Sequence, residues 1–237
     1  MNQPGVSNSP APTTAKALRS LEKAIHACKK CPRLRDHCTT VAEVKRKAYQ
    51  DQNYWGKPVA GFGDPRARLY ILGLAPAAHG ANRTGRIFTG DRSGDWLYRA
   101  LHKQGFSNQP SSVSREDGLL LRDAWVSCAV HCAPPENKPT PQEFESCRAF
   151  LESEFQILRP QVQVYIALGG LALKAIWPHL PSQPQKMPRF QHGAEVSLPT
   201  GETLLLSYHP SQQNTFTGRL TEPQFDQVFR RAKELLT

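Results

Sequence analysis

The 237-residue chain contains no run of about 18 apolar residues, the length a helix needs to cross a bilayer, so nothing in the sequence reads as a membrane-spanning helix. The first sixteen residues also lack the basic start and apolar core of a secretory signal. Their Pro, Ser, Thr and Asn content predicts a disordered lead over residues 1–16 of an intracellular, cytoplasmic protein, followed by a single domain over residues 17–237. There is no internal repeat and no low-complexity tract beyond the N-terminus, which excludes solenoids and repeat arrays.

Acidic side chains are the scarcer sign, 20 Asp and Glu against 30 Lys and Arg, for a net charge of +10. A polyanion is therefore the favoured large partner, because each phosphate neutralised by Lys or Arg releases a condensed counterion. Charge alone does not separate a nucleic-acid binder from a merely basic protein. With 39% hydrophobic residues, including 10 Phe and 4 Trp, the chain can bury a complete core. Its six cysteines, in a reducing compartment, read as metal ligands or reactive groups rather than as a disulfide framework.

Apolar residues at Leu18, Leu21, Ala24 and Ile25 mark a helical stripe over residues 15–27 that ends at Cys28. Basic residues follow at Lys29, Lys30, Arg33, Arg35, Lys45, Arg46 and Lys47, either a phosphate-facing strip or a solvated face. Short apolar runs at residues 69–74, 125–130, 162–168 and 204–208 read as buried strands. Helical patterns lie between and after them at 93–103, 140–158, 171–177 and 221–236, and Thr140-Pro141-Gln142-Glu143 forms a capping box. Alternating strands and helices imply a three-layer αβα architecture around a four-stranded parallel sheet. Ligands of such sheets bind at the carboxyl ends of the strands, where Gly73-Leu74-Ala75-Pro76, Cys132-Ala133-Pro134-Pro135, Gly169-Gly170 and His209-Pro210-Ser211 fall.

Cys28-x2-Cys31 and Cys132-x14-Cys147 make two pairs able to meet at one metal centre. Four thiolates suit zinc or an iron-sulfur cluster, and spacing does not choose between them. Cys128 falls inside a strand as a small core residue by default, while Cys38 can substitute as a ligand.

Two segments are too long and too rich in Gly, Pro and polar side chains to be plain turns. The first is Gly73-Leu74-Ala75-Pro76-Ala77-Ala78-His79-Gly80-Ala81-Asn82-Arg83-Thr84-Gly85-Arg86-Ile87-Phe88-Thr89-Gly90-Asp91, and the second is His209-Pro210-Ser211-Gln212-Gln213-Asn214-Thr215-Phe216-Thr217-Gly218-Arg219-Leu220-Thr221. Together they resemble the uracil-DNA glycosylase superfamily, and within it the iron-sulfur type called family five, or type b. Family four has a carboxylate just after the first glycine, and this chain has none there. The resemblance runs from about Cys28 to the C-terminus. It implies a [4Fe-4S] cluster on Cys28, Cys31, Cys132 and Cys147, a uracil-DNA glycosylase-like fold, and a monofunctional enzyme that hydrolyses the glycosidic bond of a flipped-out base in DNA, with a monomer expected.

The chemistry can be argued beside the resemblance. Breaking an N-glycosidic bond leaves positive charge on the sugar and negative charge on the base, so the site needs an anion near the first and donors near the second. Asp91 is the candidate for stabilising the oxocarbenium-like cation and orienting water, and its plainer reading is a cap for the helix that follows. His209 is the candidate donor to the base O2, and Phe88 the stacking platform, or else an ordinary core ring. Backbone N–H groups of Gly73 and Ala75 can approach the base closely. Asn82 and Arg83 can hold base or phosphate, and His79 either assists catalysis or orients the loop. Arg83, Arg86, Ser211, Asn214 and Arg219 are the expected DNA contacts, with residues 212–219 entering the minor groove. Where family four places an Asn to read the uracil edge, Cys128 stands here, which implies relaxed discrimination and a range extending to hypoxanthine or other deaminated bases. Neither motif contains a lysine, so no Schiff-base lyase step is expected and the product is an abasic site. The rival readings are a non-catalytic nucleic-acid module with structural zinc and an iron-sulfur oxidoreductase. Both leave the two long motifs unexplained.

Overall fold

A computed structural model of the chain describes residues 12–182 and 186–237. The four apolar runs form β2 (Leu69–Gly73), β3 (Ala124–Cys128), β4 (Val164–Leu168) and β6 (Thr203–Ser207), preceded by the short β1 (Phe62–Gly63) and joined by β5 (Glu195–Ser197). Strand order is β1-β3-β2-β4-β6-β5. The four long strands are parallel and every residue in them is buried, the burial on both faces that makes such strands read as unbroken apolar runs. The four-stranded parallel expectation thus describes the centre of a six-stranded mixed sheet. β1 and β5 pair antiparallel at its edges and are too short and too exposed to carry a periodic signal.

Helices cover both faces: α1 (Pro12–His26), α2 (Pro32–Val44), α3 (Ala81–Thr84), α4 (Arg92–Lys103), α5 (Pro141–Leu158), α6 (Gly170–Ile176), α7 (Gln212–Phe216) and α8 (Glu222–Leu235). Side chains alternate across the strands. Leu69, Ile71, Val126, Ile166 and Leu205 pack under α4 and α8, while Tyr70, Leu72, Trp125, Tyr165 and Leu206 pack under α1, α5 and α6. None of these helices, nor any other among the described residues, is long and apolar enough to span a membrane.

The expected disordered lead is corrected over residues 12–16, which belong to α1; residues 1–11 lie outside the described part. The expected capping box is present: Thr140 Oγ1 accepts from the Glu143 N–H at 3.3 Å and Glu143 Oε2 from the Thr140 N–H at 2.7 Å. Within the basic strip, Arg33 and Arg35 lie on α2. Pro32 at its first position opens α2, an order hidden in the sequence by a polar face that dominates its composition.

The winding sets the site. From β2 the chain passes to β3 on one side and then returns across β2 to β4, so the sheet reverses direction at β2, where a crevice opens beyond the carboxyl ends of the strands. Both long motifs begin at that end, one leaving β2 and the other β6.

Candidate active site

At the end of β2, Gly73 carries no side chain because the Phe88 ring occupies that space: a Cβ there would stand 2.7 Å from Phe88 Cζ. Phe88 itself is held at φ 51°, a left-handed conformation that costs an aromatic residue on the order of 1–3 kcal/mol and persists only where the surroundings enforce it. Its ring stacks on the His209 imidazole, with centroids 5.6 Å apart and planes at 29°. One strained residue thereby joins the two motifs.

Asp91 follows three residues later, at the N-cap of α4, where Oδ1 accepts from the Gly94 N–H at 3.0 Å. The plain capping reading is therefore real, but it uses one oxygen. The other, Oδ2, lies where Gly80 would carry a Cβ, so the loop folds tightly around the carboxylate. Burial raises the Asp91 pKa, and the N–H groups of Gly94 and Ser93 at the helix N-terminus pull against that rise. His209 leaves β6 with its pKa lowered to about 4 by burial, so its imidazole is neutral at pH 7 and keeps one N–H to donate. Its backbone carbonyl accepts from Asn214 Nδ2 at 2.8 Å.

Several expected contact residues turn inward. Arg83 donates from Nε to the His79 carbonyl at 2.8 Å and from Nη2 to that of Gly90 at 2.7 Å, reaches Gln52, and lies 4.0 Å above the Tyr49 ring. Arg86 is buried against Thr89, Ser112 and the Asp117 carboxylate, 2.6 Å away. These guanidiniums, expected as DNA contacts, brace the loop from within. Asn82, wholly buried, donates from Nδ2 to the Cys38 carbonyl at 3.2 Å, so its amide ties the loop to α2 rather than facing a base. Cys128 is likewise buried, in the apolar cluster that contains Phe88, with its thiol pKa raised by burial: a core residue at the end of β3. Ala75 packs on the cysteine cluster described below.

Others remain at the surface. His79 is half-buried, its Nδ1 3.0 Å from the Tyr54 hydroxyl, and burial together with the cations Arg46 and Arg83 and the nearby His37 lowers its pKa. Ser211 caps α7 by accepting from the Asn214 N–H, and exposed Arg219 lies 4.4 Å over the Tyr208 ring. Three features were not among the expected site residues, although Phe216 lies inside the second long motif. Phe216, on α7, is 68% exposed, with the Arg92 guanidinium 4.5 Å over its ring. Tyr54 orients His79. After Cys132, Glu136 and Asn137 adopt successive left-handed conformations, the kind of strained turn that an Asn tolerates best among non-glycine residues.

Cys31, Cys132 and Cys147 meet in one buried cluster with Cys38, Leu34, Val130 and Ala133, and Cys28 stands within charge range of Cys31 and Cys147. All six cysteines are free thiols. Burial raises the Cys31 pKa and pushes that of Cys147 up to about 12, while a hydrogen bond with Cys38 raises that of Cys132 ahead of burial. Thiols this reluctant to ionise in an apolar pocket would need a metal centre to stand as thiolates. Arg33 clamps the two pairs together, donating to both carboxylate oxygens of Glu143 at 2.8 and 2.9 Å. An all-sulfur donor set on three converging elements fits an iron-sulfur cluster. Among the described residues no three His, Cys, Asp or Glu side chains close on a single-ion position.

An αβα sheet with a capped carboxylate and a neutral imidazole at its switch point, beside a thiol cluster and on a basic chain, defines a hydrolase class that works on nucleic acid. The chain belongs to the uracil-DNA glycosylase superfamily, whose family model matches residues 60–233. It is 50% identical over 222 residues to a type-5 uracil-DNA glycosylase of Mycobacterium leprae, covering 93% of this chain and 96% of the relative. A type-5 uracil-DNA glycosylase of Thermus thermophilus is 49% identical over 213 residues, 90% of this chain and 95% of the relative. A type-4 uracil-DNA glycosylase of Thermotoga maritima is 34% identical over 116 residues, 48% of this chain and 52% of the relative.

Proposed function

We propose that this chain is a monofunctional uracil-DNA glycosylase that hydrolyses the N-glycosidic bond of deaminated cytosine in DNA and leaves an abasic site. The observation that carries the reading is the stacking of Phe88 on His209, which joins the loop after β2, where Asp91 caps α4 three residues further on, to the end of β6. The Asp91 carboxylate, held by the α4 N-terminus and packed against Gly80, faces the sugar of an everted nucleoside, orients the attacking water and offsets positive charge as the bond to the base lengthens. The neutral His209 donates its N–H to the base O2, where negative charge collects, without the cost of deprotonating an imidazolium. Phe88 supplies the aromatic face.

Phe216 and Arg219, exposed around α7, face the duplex, and the Phe216 ring fills the gap the everted nucleotide leaves, as apolar wedges do in other minor-groove proteins. Cys28, Cys31, Cys132 and Cys147 hold a [4Fe-4S] cluster whose bound form supplies four metal–thiolate bonds that staple α1, α2, β3 and α5 together. With no amide at position 128, discrimination rests on shape and on His209, so the range extends from uracil to hypoxanthine.

The test is base release. Duplexes carrying one uracil or one hypoxanthine are incubated with pure protein, treated with alkali and resolved by length. Cleavage only after alkali is expected on both, uracil faster, with Asp91→Ala and His209→Ala defective yet still binding DNA. Background turnover of hypoxanthine beside ready uracil release would refute the broad range; strand cutting without alkali would refute the monofunctional assignment.

A further inference from the structure

The left-handed backbone of Phe88 has to be enforced by its neighbours, since an aromatic residue free to relax returns to negative φ. The enforcement comes from both sides. Before it, the Ile87 carbonyl accepts from the Tyr98 hydroxyl at 2.8 Å and from Thr89 Oγ1 at 3.2 Å. After it, Thr89 Oγ1 lies 2.6 Å from Ser112 Oγ, and the Gly90 N–H donates to the Ser112 carbonyl at 2.9 Å. Neither Thr89 nor Ser112 has any exposed surface.

Arg86 and Asp117 close this frame. Arg86 donates from Nε to Thr89 Oγ1 at 3.0 Å, and from Nη2 to Ser112 Oγ at 2.7 Å and Asp117 Oδ2 at 2.6 Å, with both charged side chains buried. The same carboxylate accepts from the N–H groups of Val113, Ser114 and Leu119, so it folds residues 113–119 into a turn and ties that turn to the loop after β2. This turn belongs to neither long motif. A buried ion pair returns little net stability once its desolvation is counted, so stability alone does not account for this one. We propose that Asp117 and Arg86 are positioning residues of the glycosylase, holding residue 88 left-handed so that its ring stays stacked on His209. This rests on the reading of Phe88 as the aromatic face for the base.

The test is a double-variant cycle in the full-length protein: wild type, Asp117→Asn, Phe88→Leu and Asp117→Asn/Phe88→Leu, with single-turnover uracil excision, duplex affinity and the His209 ring-proton NMR signals measured on each. Asp117→Asn is expected to lose about tenfold or more in excision at unchanged duplex affinity, and its His209 signals to move towards the positions they take in Phe88→Leu. Once the ring is gone Asp117 has nothing to position, so the double variant is expected to excise within about twofold of Phe88→Leu. Losses that multiply, unmoved His209 signals or wild-type excision by Asp117→Asn overturn this inference alone. Wild-type excision by Phe88→Leu overturns the reading of Phe88 and this inference with it. Should Asp117→Asn fail to fold, Ser112→Ala, which keeps the ion pair, takes its place in the cycle and is judged by the same outcomes.

Discussion

The Oδ2 oxygen of Asp91 occupies the space in which Gly80 would carry its Cβ. The glycine is thus part of the carboxylate's binding site, although it donates nothing to it. A methyl group there would collide with Oδ2, Cγ and Cβ of Asp91, so the carboxylate must turn. Gly80→Ala is expected to lower single-turnover uracil excision by about 10²-fold or more, in line with the cost of a misplaced catalytic group, while iron content and DNA affinity hold. Wild-type excision by that variant, measured by rapid quench, would mean that Oδ2 has no fixed catalytic position.

The two reacting side chains shift in opposite directions. Asp91 is raised, so as pH falls it loses its charge above the ordinary carboxylate value; His209, lowered to about 4, stays neutral throughout that range. The acid limb of kcat against pH therefore belongs to Asp91, and no limb is expected near 6.5, the ordinary histidine value. Stability follows the same signs. A raised Asp91 carries a folding penalty when charged, so Asp91→Asn, which can still cap α4, is expected to raise Tm at pH 7, with the gain fading as pH falls through the raised Asp91 pKa and gone below the ordinary carboxylate value. His209 and the buried His131, also near 4, favour folding when neutral, so stability present at pH 7 is lost as pH drops from about 6.5 towards 4. Ring-proton NMR titration of the two histidines checks this directly.

Arg83 and Arg219 separate bracing from DNA binding. Arg83 spends its donors on His79, Gly90 and Gln52, whereas Arg219 lies exposed on Tyr208. Arg219→Ala is expected to reduce the slope of log affinity against log salt by about one phosphate contact, and Arg83→Ala to leave the slope alone while lowering Tm and excision. Fluorescence anisotropy across a salt series measures both, and a reduced slope in Arg83→Ala would restore it to the DNA interface.

Much of this was legible in the chain, and the parts that were not have physical reasons. Four strands, the helices between them and the Thr140 box are local patterns, and the two motifs contain Asp91 and the stacked pair Phe88 and His209. Composition says nothing about direction, however. Arg83, Arg86 and Asn82 are polar residues in a polar loop, and only the folded loop reveals that Arg83 closes on its carbonyls, Asn82 on α2, and Arg86 on Ser112 and Asp117. The contact between Tyr54 and His79, 25 residues apart, and the two edge strands leave no periodic trace for the same reason: tertiary pairing creates them.

Phe216 should matter only when there is a base stack to invade. Phe216→Ala is expected to lose about tenfold or more of its excision rate on duplex uracil and much less on a single strand, which offers no gap to fill. Parallel rate measurements on the two substrates decide it, and an equal loss on both would remove the wedge role.

The most direct test of the central claim is single-turnover excision of uracil by Asp91→Ala, with DNA binding and iron content measured on the same preparation. The account predicts loss of base release by at least about 10²-fold at near-normal affinity and full colour. Excision at the wild-type rate would contradict it.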